Sequence, residues 1–346
     1  MSRFENILIT GGSGFIGTNL VINLLKNTES NIFNLDKLTY SGNKKNLDNF
    51  LKTASENIVE KYKFFHFDLT DRNNVKLAIE ISNPDIIIHL AAESHVDRSI
   101  SSHEIFLESN IFGTYNLLQE SLCHYRKLNL NRKDLFRFYH ISTDEVFGSL
   151  KNNDLSFNEF SNYDPRSPYA ASKAASDHFV NAWHNTYGLP ILISNCSNNY
   201  GPWQYPEKLI PLTISKALSG DQIPIYGDGK NIRDWLHVDD HINAINLIMN
   251  NGLIGKKYCI GGSNEISNIY VVNLICKYLD ELSPNSNSYN EQISFVKDRP
   301  GHDFRYSIDS SYLKKSLGWK EKVNFKIGLK NTVEWYLKNK DWWKSI

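Results

Sequence analysis

The sequence predicts a doubly wound α/β fold, in which helices cover both faces of a parallel β-sheet, with a smaller C-terminal lobe. Six short apolar segments alternate with longer segments of helical spacing before residue 197. Continuous apolar strands separated by helices are typical of a parallel sheet that is buried on both faces. After residue 197, glycine, proline, asparagine and aromatic residues become frequent. Such irregular polar and aromatic segments are typical of a lobe that shapes a cleft.

The six apolar segments are the predicted strands of the sheet. They are Asn6–Thr10, Asn31–Asp36, Lys63–Asp68, Asp85–Ala92, Phe136–Ser142 and Pro190–Cys196. Right-handed connections through the intervening helices would wind the sheet in both directions. We therefore predict a first domain over residues 1–190, to which residues 232–258 return, and a smaller lobe formed by residues 191–231 and 259–346.

Length, charge and cysteine content narrow the class of protein. A chain of 346 residues can bury a large core. Its 38 basic and 38 acidic side chains cancel, which argues against nucleic-acid binding and electrostatic membrane binding. Four cysteines without a CxxC pair, and eleven histidines without an HExxH motif, predict reduced thiols and no metal site. Without a signal peptide or an apolar run of about 20 residues, we expect a cytoplasmic protein.

A glycine-rich loop joins the first predicted strand to the first predicted helix. In "ITGGSGFIGTNL", the spacing of Gly11, Gly14 and Gly17 is a variant of the dinucleotide-binding fingerprint. The first glycine permits a tight turn, the second lets the backbone approach a pyrophosphate at the helix N-terminus, and the third permits close packing of helix on strand. Strand, loop and helix occur in the required order, so the sequence predicts a Rossmann domain that binds a dinucleotide.

Acidic residues at the ends of the next two strands refine this prediction. Asp36 ends the second strand, where a carboxylate can accept hydrogen bonds from ribose hydroxyls and would repel a 2′-phosphate. We therefore expect NAD rather than NADP, a preference that the neighbouring Lys37 weakens slightly. Asp68, at the end of the third strand, either reaches the adenine or caps a helix that begins before Arg72.

Tyr169 and Lys173, in "SPYAASKAASDH", form a YxxxK pair after the helix-starting Pro168. The same spacing recurs at Tyr40, Tyr226 and Tyr336, so only the context distinguishes this pair. Residues i and i+4 of a helix share one face, which puts hydroxyl and ammonium in one site. A phenol with a pKa of about 10 becomes a base near neutral pH if nearby cations stabilise the phenolate by roughly 4 kcal/mol. The alternative is a half-buried tyrosine beside a lysine whose ammonium reaches solvent.

Two adjacent carboxylates follow the fifth strand in "STDEVFG". Asp144 and Glu145 come directly after Thr143. Neighbouring carboxylates in a partly desolvated site push their pKa values apart, so one can hold a proton while the other is ionised. The alternative is an acidic pair that complements the dipole at a helix start.

These motifs together carry a family resemblance that runs from about residue 5 to residue 338. The glycine loop, "HLAAESHVDRSI", "NIFGTYNLL", "STDEVFG", "YAASK" and "NNYGPWQYPEKLIP" resemble the extended short-chain dehydrogenases/reductases. "GDGKNIRDWLHVDDH" and "DRPGHDFRYSID" narrow the resemblance to the dTDP-glucose 4,6-dehydratase family. The resemblance implies a lyase that holds NAD tightly and regenerates it in each turnover.

The resemblance also implies roles for individual positions. It places at the NAD site, besides the three glycines, Phe15, Ile16, Asp36, Lys37, Leu38, Thr39, Asp68, Leu69, Ala91, Ala92, Ser94, Ser109, Tyr169, Lys173 and Asn199. Ser109 stands where the family often has threonine, and either hydroxyl could bond the cofactor. It places around the sugar nucleotide Ser94, Thr143, Asn198, Lys208, Leu209, Pro224, Ile225, Tyr226, Arg233, Asn268, Arg299, His302 and Tyr306.

The reaction implied is the conversion of dTDP-glucose to dTDP-4-keto-6-deoxyglucose with loss of water. Tyr169 would take the C4 hydroxyl proton while a hydride passes to NAD. Glu145 would then remove the C5 proton, Asp144 would protonate the departing C6 hydroxyl, and Thr143 would bond the C4 hydroxyl. Return of the hydride to C6 and of a proton to C5 completes the cycle in this step of deoxysugar biosynthesis, for example that of rhamnose.

Several alternatives stay open at the level of sequence. A UDP-glucose 4,6-dehydratase, a sugar-nucleotide epimerase or a decarboxylase could share the fold, and a non-catalytic NAD-binding regulator is a remote alternative. An epimerase has no need of an acid/base pair for water elimination. The resemblance further implies a homodimer formed through a helix bundle that includes Ile111–Leu122 and Ser176–Tyr187. For His95, Asp97 and Arg98 two alternatives stay open: they order the loop beside the nicotinamide, or they form a structural ion pair.

Overall fold

The computed structural model describes residues 2–344, whose strands form one large sheet and two small ones. The strands are β1 (Asn6–Thr10), β2 (Asn31–Asp36), β3 (Tyr62–His66), β4 (Ile86–His89), β5 (Arg137–Thr143), β6 (Ile191–Cys196), β7 (Asn198–Tyr200), β8 (Ile223–Tyr226), β9 (Ile232–His237), β10 (Lys257–Ile260), β11 (Glu265–Ser267) and β12 (Ile293–Val296). The large sheet has seven parallel strands in the order β10-β6-β5-β4-β1-β2-β3. This confirms the predicted doubly wound α/β fold.

Helices connect and cover these strands. The α-helices are α1 (Phe15–Asn27), α2 (Lys45–Leu51), α3 (Glu56–Glu60), α4 (Arg72–Ser82), α5 (Val96–Ser101), α6 (Glu104–Phe106), α7 (Gly113–Lys127), α8 (Leu130–Leu135), α9 (Pro168–Tyr187), α10 (Leu209–Ser219), α11 (Val238–Asn251), α12 (Asn268–Leu282), α13 (Ser311–Leu317), α14 (Phe325–Lys338) and α15 (Lys340–Lys344). A π-helical segment, Leu107–Phe112, precedes α7, and 3₁₀ turns occupy Asp144–Phe147 and Tyr289–Gln292. Among the described residues, no helix is long and apolar enough to cross a membrane.

The large sheet is buried on both faces, which explains the continuous apolar character of its strands. In β4, for example, Ile86, Ile87 and Ile88 are all fully buried. One face packs against α1 and α11, and the other packs against α4, α7 and α9. Each of the six predicted strands is present, although β4 ends at His89 and the chain leaves the sheet earlier than predicted. Residues 90–95 consequently form an irregular segment at the end of the strand.

The small sheets lie in the C-terminal half of the chain. One contains β11, β9 and β7, and the other pairs β12 with β8. Helices α10, α12 and α14 share a hydrophobic core with them. Strand β6 belongs to the large sheet although it follows residue 190, and β10 extends past residue 258. The change in composition after residue 197 follows the end of β6, whereas the predicted limit at residue 190 lies before that strand. The division into two domains stays a prediction.

The order of the large sheet fixes where a ligand can bind. From β1 the chain winds outward to β2 and β3 on one side, and from β4 to β5 and β6 on the other. Between β1 and β4, the loops that leave the carboxyl ends of the strands turn in opposite directions, which opens a crevice. The glycine loop follows β1, residues 90–95 follow β4, and the two carboxylates follow β5.

Candidate active site

A cleft of about 760 Å³ opens at this crevice and extends to the small sheets. Its walls include the ends of β1, β2, β4, β5 and β6, together with loops of the C-terminal half. The volume is within the range of small-molecule sites, roughly 300–1,000 Å³. Among the described residues, no group of three or more His, Cys, Asp or Glu side chains could hold a metal ion.

The glycine loop is packed so closely that side chains could not replace Gly11 or Gly17. A Cβ atom on Gly17 would lie 2.1 Å from the Gly11 carbonyl oxygen, and one on Gly11, whose φ is +74°, would lie 2.6 Å from the Ala91 nitrogen. Gly14 is less crowded, since its Cβ would lie 3.4 Å from the Gly11 carbonyl oxygen, and it is the N-cap of α1, where no described side chain caps the helix. The N-terminus of α1 therefore has unpaired N–H groups that fit a pyrophosphate.

Asp36 is held at the end of β2 beside this loop. Its carboxylate accepts hydrogen bonds from the backbone N–H groups of Ser13 (2.9 Å) and Leu38 (2.8 Å). Burial raises the pKa of Asp36, although these two bonds act in the opposite direction. Leu38 has a left-handed backbone with a φ of +56° and does not line the cleft, so its contribution is the N–H group that it donates to Asp36.

Lys37 and Asp68 form an ion pair of 2.5 Å at the edge of the cleft. This pairing partly neutralises the lysine charge beside Asp36. Lys37 should therefore weaken the expected preference for NAD over NADP less than an unpaired lysine would. The alternative that Asp68 caps the next helix is wrong, because Asp71 is the N-cap of α4 and accepts from the N–H groups of Asn73 and Asn74. Asp68 accepts from the Thr70 N–H instead, and its side chain remains at the cleft.

Tyr169 and Lys173 lie one turn apart on α9, which begins at Pro168 with Ser167 as its N-cap. Both side chains are buried, and the Lys173 ammonium donates to the Ile141 carbonyl at 3.0 Å. Burial lowers the pKa of Lys173, while the nearby Asp177 carboxylate raises it. In the chain alone, burial raises the pKa of Tyr169 well above its usual value, and the Glu145 carboxylate adds to this rise. A base that acts at neutral pH requires the opposite, a lowered pKa.

Thr143 ends β5, and Asp144 begins the 3₁₀ turn that follows it. The Thr143 hydroxyl donates to Asp144 Oδ1 at 3.2 Å and accepts from the Glu145 N–H at 3.3 Å. Asp144 is only 2% exposed, and its Oδ2 is buried without a hydrogen-bond partner among the described residues. The pair does start a short helical turn, as the structural alternative expects, yet both side chains also line the cleft.

The two carboxylates experience different surroundings. Burial, followed by Glu145 and Asp234, raises the pKa of Asp144 well above its usual value. Burial also raises the pKa of Glu145, but Arg299, Lys208 and Arg233 act against this rise. Asp144 is therefore the carboxyl that retains a proton, and Glu145 is the one that ionises more readily.

Three cations, Lys208, Arg233 and Arg299, line the cleft and come from the C-terminal half of the chain. Arg233 is 5% exposed and donates to the carbonyls of Ile232, Phe304 and Asp303. The Lys208 ammonium donates to the Ser94 carbonyl at 2.7 Å. Cations at one end of the cleft and a free helix N-terminus at the other fit a substrate and a cofactor that both carry phosphates.

The cleft brings together nearly every residue predicted for the site. From the NAD set it is lined by Gly11, Gly14, Phe15, Ile16, Gly17, Asp36, Lys37, Thr39, Asp68, Leu69, Ala91, Ala92, Ser94, Ser109, Tyr169, Lys173 and Asn199. From the catalytic and sugar-nucleotide sets it is lined by Thr143, Asp144, Glu145, Asn198, Lys208, Leu209, Pro224, Ile225, Tyr226, Arg233, Asn268, Arg299 and His302. Tyr306, like Leu38, is not in the lining: its ring packs against the Arg233 guanidinium at 4.5 Å.

Other lining residues were not predicted. They include Glu93, His95, Asp97, Cys196, Gln204, Tyr205 and Glu207. Tyr40 donates to Glu207 at 3.0 Å, and Arg98 packs over the Tyr40 ring at 3.8 Å, so an aromatic and charged cluster forms beside the cleft. For Glu207 the sequence did contain a signal: the residue directly precedes Lys208, a predicted site residue, in the "PEK" segment.

Comparison with known proteins settles the family. Residues 8–332 match the family model described as GDP-mannose 4,6 dehydratase. A probable dTDP-glucose 4,6-dehydratase of Sinorhizobium fredii is 53% identical over 98% of this chain and 95% of its own, and the dTDP-glucose 4,6-dehydratase of Salmonella typhimurium is 49% identical with the same coverage. The chain belongs to the dTDP-glucose 4,6-dehydratase family.

Solved structures agree with this assignment and show how widely the fold is shared. The dTDP-glucose 4,6-dehydratase of Streptomyces venezuelae, crystallised with NAD, has a TM-score of 0.87 and 41% identity, covering 98% of this chain and 99% of that one. A UDP-glucose 4-epimerase of Thermus thermophilus, also in complex with NAD, has a TM-score of 0.82 and 26% identity, covering 96% and 99%. The fold alone therefore does not separate dehydratases from epimerases.

Replacing Asp144 by Asn should stabilise the chain more at high pH than at low pH. The pKa of Asp144 is raised in the folded chain, so the unfolded chain releases this proton first and wild-type stability falls as pH rises above about 4. Asparagine does not titrate. We expect the melting temperature of Asp144→Asn to exceed that of wild type by about 2–4 °C more at about pH 8 than at about pH 4.5.

Scanning calorimetry at the two pH values measures this difference. Asp221→Asn, which removes an exposed carboxylate paired with Lys216, is the matched control. A melting-temperature difference between Asp144→Asn and wild type that does not change with pH would contradict the raised pKa.

Proposed function

We propose that this chain converts dTDP-glucose to dTDP-4-keto-6-deoxyglucose with loss of water, in an NAD-dependent cycle. The observation that carries this proposal is the position of Asp144 and Glu145 in the same cleft as Tyr169 and Lys173. A Tyr-Lys pair supports oxidation of a sugar carbon, and a carboxyl pair with separated pKa values supports elimination.

Residues of the large sheet would hold the cofactor. The pyrophosphate fits the N-terminus of α1 at Gly14, and the Asp36 carboxylate is placed to accept from the adenosine ribose. When bound there, NAD would supply reversible hydride transfer, from C4 of the glucose in the oxidation and to C6 after the elimination, while a proton returns to C5. Tyr169 would take the C4 hydroxyl proton. Because burial and Glu145 raise its pKa in the chain alone, this role needs the positive charges of Lys173, held by the Ile141 carbonyl, and of the oxidised nicotinamide to stabilise the phenolate.

The elimination would use the two carboxylates in different protonation states. Glu145 faces Arg299, Lys208 and Arg233, which favour its ionised form, so it is suited to remove the C5 proton. Asp144 is buried beside Glu145, which favours its neutral form, so it is suited to protonate the leaving C6 hydroxyl. Thr143 bonds Asp144 and would also reach the C4 hydroxyl.

The remaining predicted residues would bind the nucleoside diphosphate. We assign the diphosphate to the three cations Lys208, Arg233 and Arg299. Asn198, Leu209, Pro224, Ile225, Tyr226, Asn268 and His302 would surround the rest of the nucleotide, and Tyr306 would act indirectly by supporting Arg233. On this assignment the large sheet holds the cofactor and the reacting groups, and the C-terminal half holds the nucleoside diphosphate. Arg233 departs from the predicted division, because it lies on β9 of a small sheet although residues 232–258 were predicted to return to the first domain.

Incubation of the purified chain with dTDP-glucose, and separately with UDP-glucose, tests the proposal. We expect mass spectrometry to detect a product of dTDP-glucose that lacks one water, and to detect less of the corresponding product from UDP-glucose. Recovery of a C4 epimer that retains its water would instead support an epimerase. The same experiment tests the dTDP preference, and cytoplasmic localisation is a further part of the proposal.

Glu145→Gln should separate oxidation from elimination. Because Tyr169 and Lys173 remain, substrate should still reduce bound NAD, and the absorbance of the reduced cofactor should persist. Without a base for the C5 proton, overall turnover should fall about 10²–10⁴-fold. Single-turnover absorbance spectroscopy checks both results, with Tyr169→Phe as the comparison that should block cofactor reduction itself. Dehydration at the wild-type rate by Glu145→Gln would remove Glu145 from the mechanism.

We also propose a homodimer formed through the helices that cover one face of the large sheet. Large apolar side chains on the π-helical segment, α7 and α9 are exposed in the single chain: Leu107, Phe112, Tyr115, Phe179 and Tyr187. Helices α7 and α9 pack against each other, so these side chains are placed to form one apolar face. Such a face on adjacent helices is suited to a two-fold helix bundle.

Phe112→Glu should disrupt this dimer. Phe112 is 61% exposed, and a charge buried without a partner at the bundle would strongly disfavour association. Sedimentation velocity should give about half the wild-type mass at micromolar concentration. Leu155→Glu is the matched control, because Leu155 is 91% exposed and belongs to none of these helices, so its replacement should leave the mass unchanged. A Phe112→Glu variant with the mass of wild type would contradict the proposed interface.

A further inference from the structure

Asp97 joins the two sides of the cleft. It lies on α5, in the segment that follows β4 of the large sheet. Its Oδ1 accepts from Arg299 Nη1 at 3.0 Å, and its Oδ2 accepts from the Tyr226 hydroxyl at 2.9 Å. Both donors line the substrate end of the cleft, and they are 202 and 129 residues away in sequence. One carboxylate therefore fixes two side chains from separate segments of the C-terminal half.

The contact to Arg299 differs from the contacts of the other two cations. Arg233 donates to backbone carbonyls, and Lys208 donates to the Ser94 carbonyl, while its ammonium lies 3.9 Å from the Glu207 carboxylate, beyond hydrogen-bond distance. Arg299 donates to a carboxylate, and its Nε is buried without a hydrogen-bond partner among the described residues. The guanidinium is thus held at one end, while a buried N–H group remains available to a ligand.

A carboxylate beside a diphosphate site can act in two opposite ways. If Asp97 only competes with the diphosphate for Arg299, its removal should strengthen nucleotide binding, because a repulsive anion is lost. If Asp97 orients the guanidinium, its removal should weaken binding, because the arginine must be ordered at the moment of binding. The second contact, to the Tyr226 hydroxyl, favours the orienting role for Asp97, because an anion that only competes for Arg299 would have no reason to hold a neutral side chain as well.

We propose that Asp97 is a positioning residue for the nucleoside diphosphate, which sets the Arg299 guanidinium and the Tyr226 ring in place before the substrate arrives. This inference rests on the proposed function, in which Arg299 contacts the diphosphate. Asp97 itself contacts no reacting atom. The residue links the strand ends of the large sheet to the substrate loops, so it also couples the two sides of the cleft.

Isothermal titration of dTDP into wild type and Asp97→Asn tests the proposal. Asparagine keeps the shape of the side chain and one acceptor oxygen, and the Asp97 side chain is 33% exposed, so the fold should tolerate the change. We expect the Kd for dTDP to rise about tenfold. The KM for dTDP-glucose should rise similarly while kcat and the bound NAD content stay within about twofold. Asp228→Asn, which breaks an exposed pair with Lys230 in the same half, is the control and should bind dTDP like wild type.

A double-mutant cycle with Arg299→Ala shows whether Asp97 acts through the arginine. On the proposal, Asp97→Asn has little further effect once the Arg299 side chain is absent, so the two losses in dTDP affinity do not add. Additive losses, or dTDP binding to Asp97→Asn that is as tight as in wild type or tighter, would overturn the proposal. Failure of wild type to bind dTDP or to dehydrate dTDP-glucose would instead overturn the proposed function, so the two failures are distinguishable.

Discussion

The site depends on one electrostatic constraint: two adjacent carboxylates share a cleft that excludes much of the solvent. Asp144 is almost completely buried and has an oxygen without a partner among the described residues, so its ionised form is strongly disfavoured. Glu145 is partly exposed and faces three cations. The chain thereby obtains an acid and a base from neighbouring residues of similar intrinsic pKa.

The rest of the fold places the partners of this pair. Parallel strands deliver the glycine loop, residues 90–95 and the two carboxylates to one edge of the sheet, because their carboxyl ends coincide there. Helix α9 packs on one face of the sheet, and its first two turns contribute Tyr169 and Lys173 near the end of β5. The cations come from the other side of the cleft, and they lower the cost of ionising Glu145 while they are also placed to bind phosphates.

Much of this arrangement could be predicted from the sequence. Buried strands appear in the sequence as continuous apolar segments, and one helical turn brings residues four apart, such as Tyr169 and Lys173, onto the same face. Both features can therefore be predicted from the local sequence pattern. Contacts between irregular segments leave no such pattern. The Asp97 to Arg299 pair, the left-handed backbone of Leu38, and the position of Tyr306 behind Arg233 all depend on loop conformation. The capping role of Asp71 rather than Asp68 was missed because both acids precede the same helix.

Infrared difference spectroscopy tests the central claim most directly, which is that Asp144 stays protonated beside an ionised Glu145. The spectrum of wild type at neutral pH, minus that of Asp144→Asn, should contain the carbonyl stretching band of a protonated carboxylic acid, and this band should shift in deuterated solvent. A difference spectrum that contains only the bands of an ionised carboxylate would contradict the account, because the neighbouring pair would then have no acid to protonate the leaving hydroxyl.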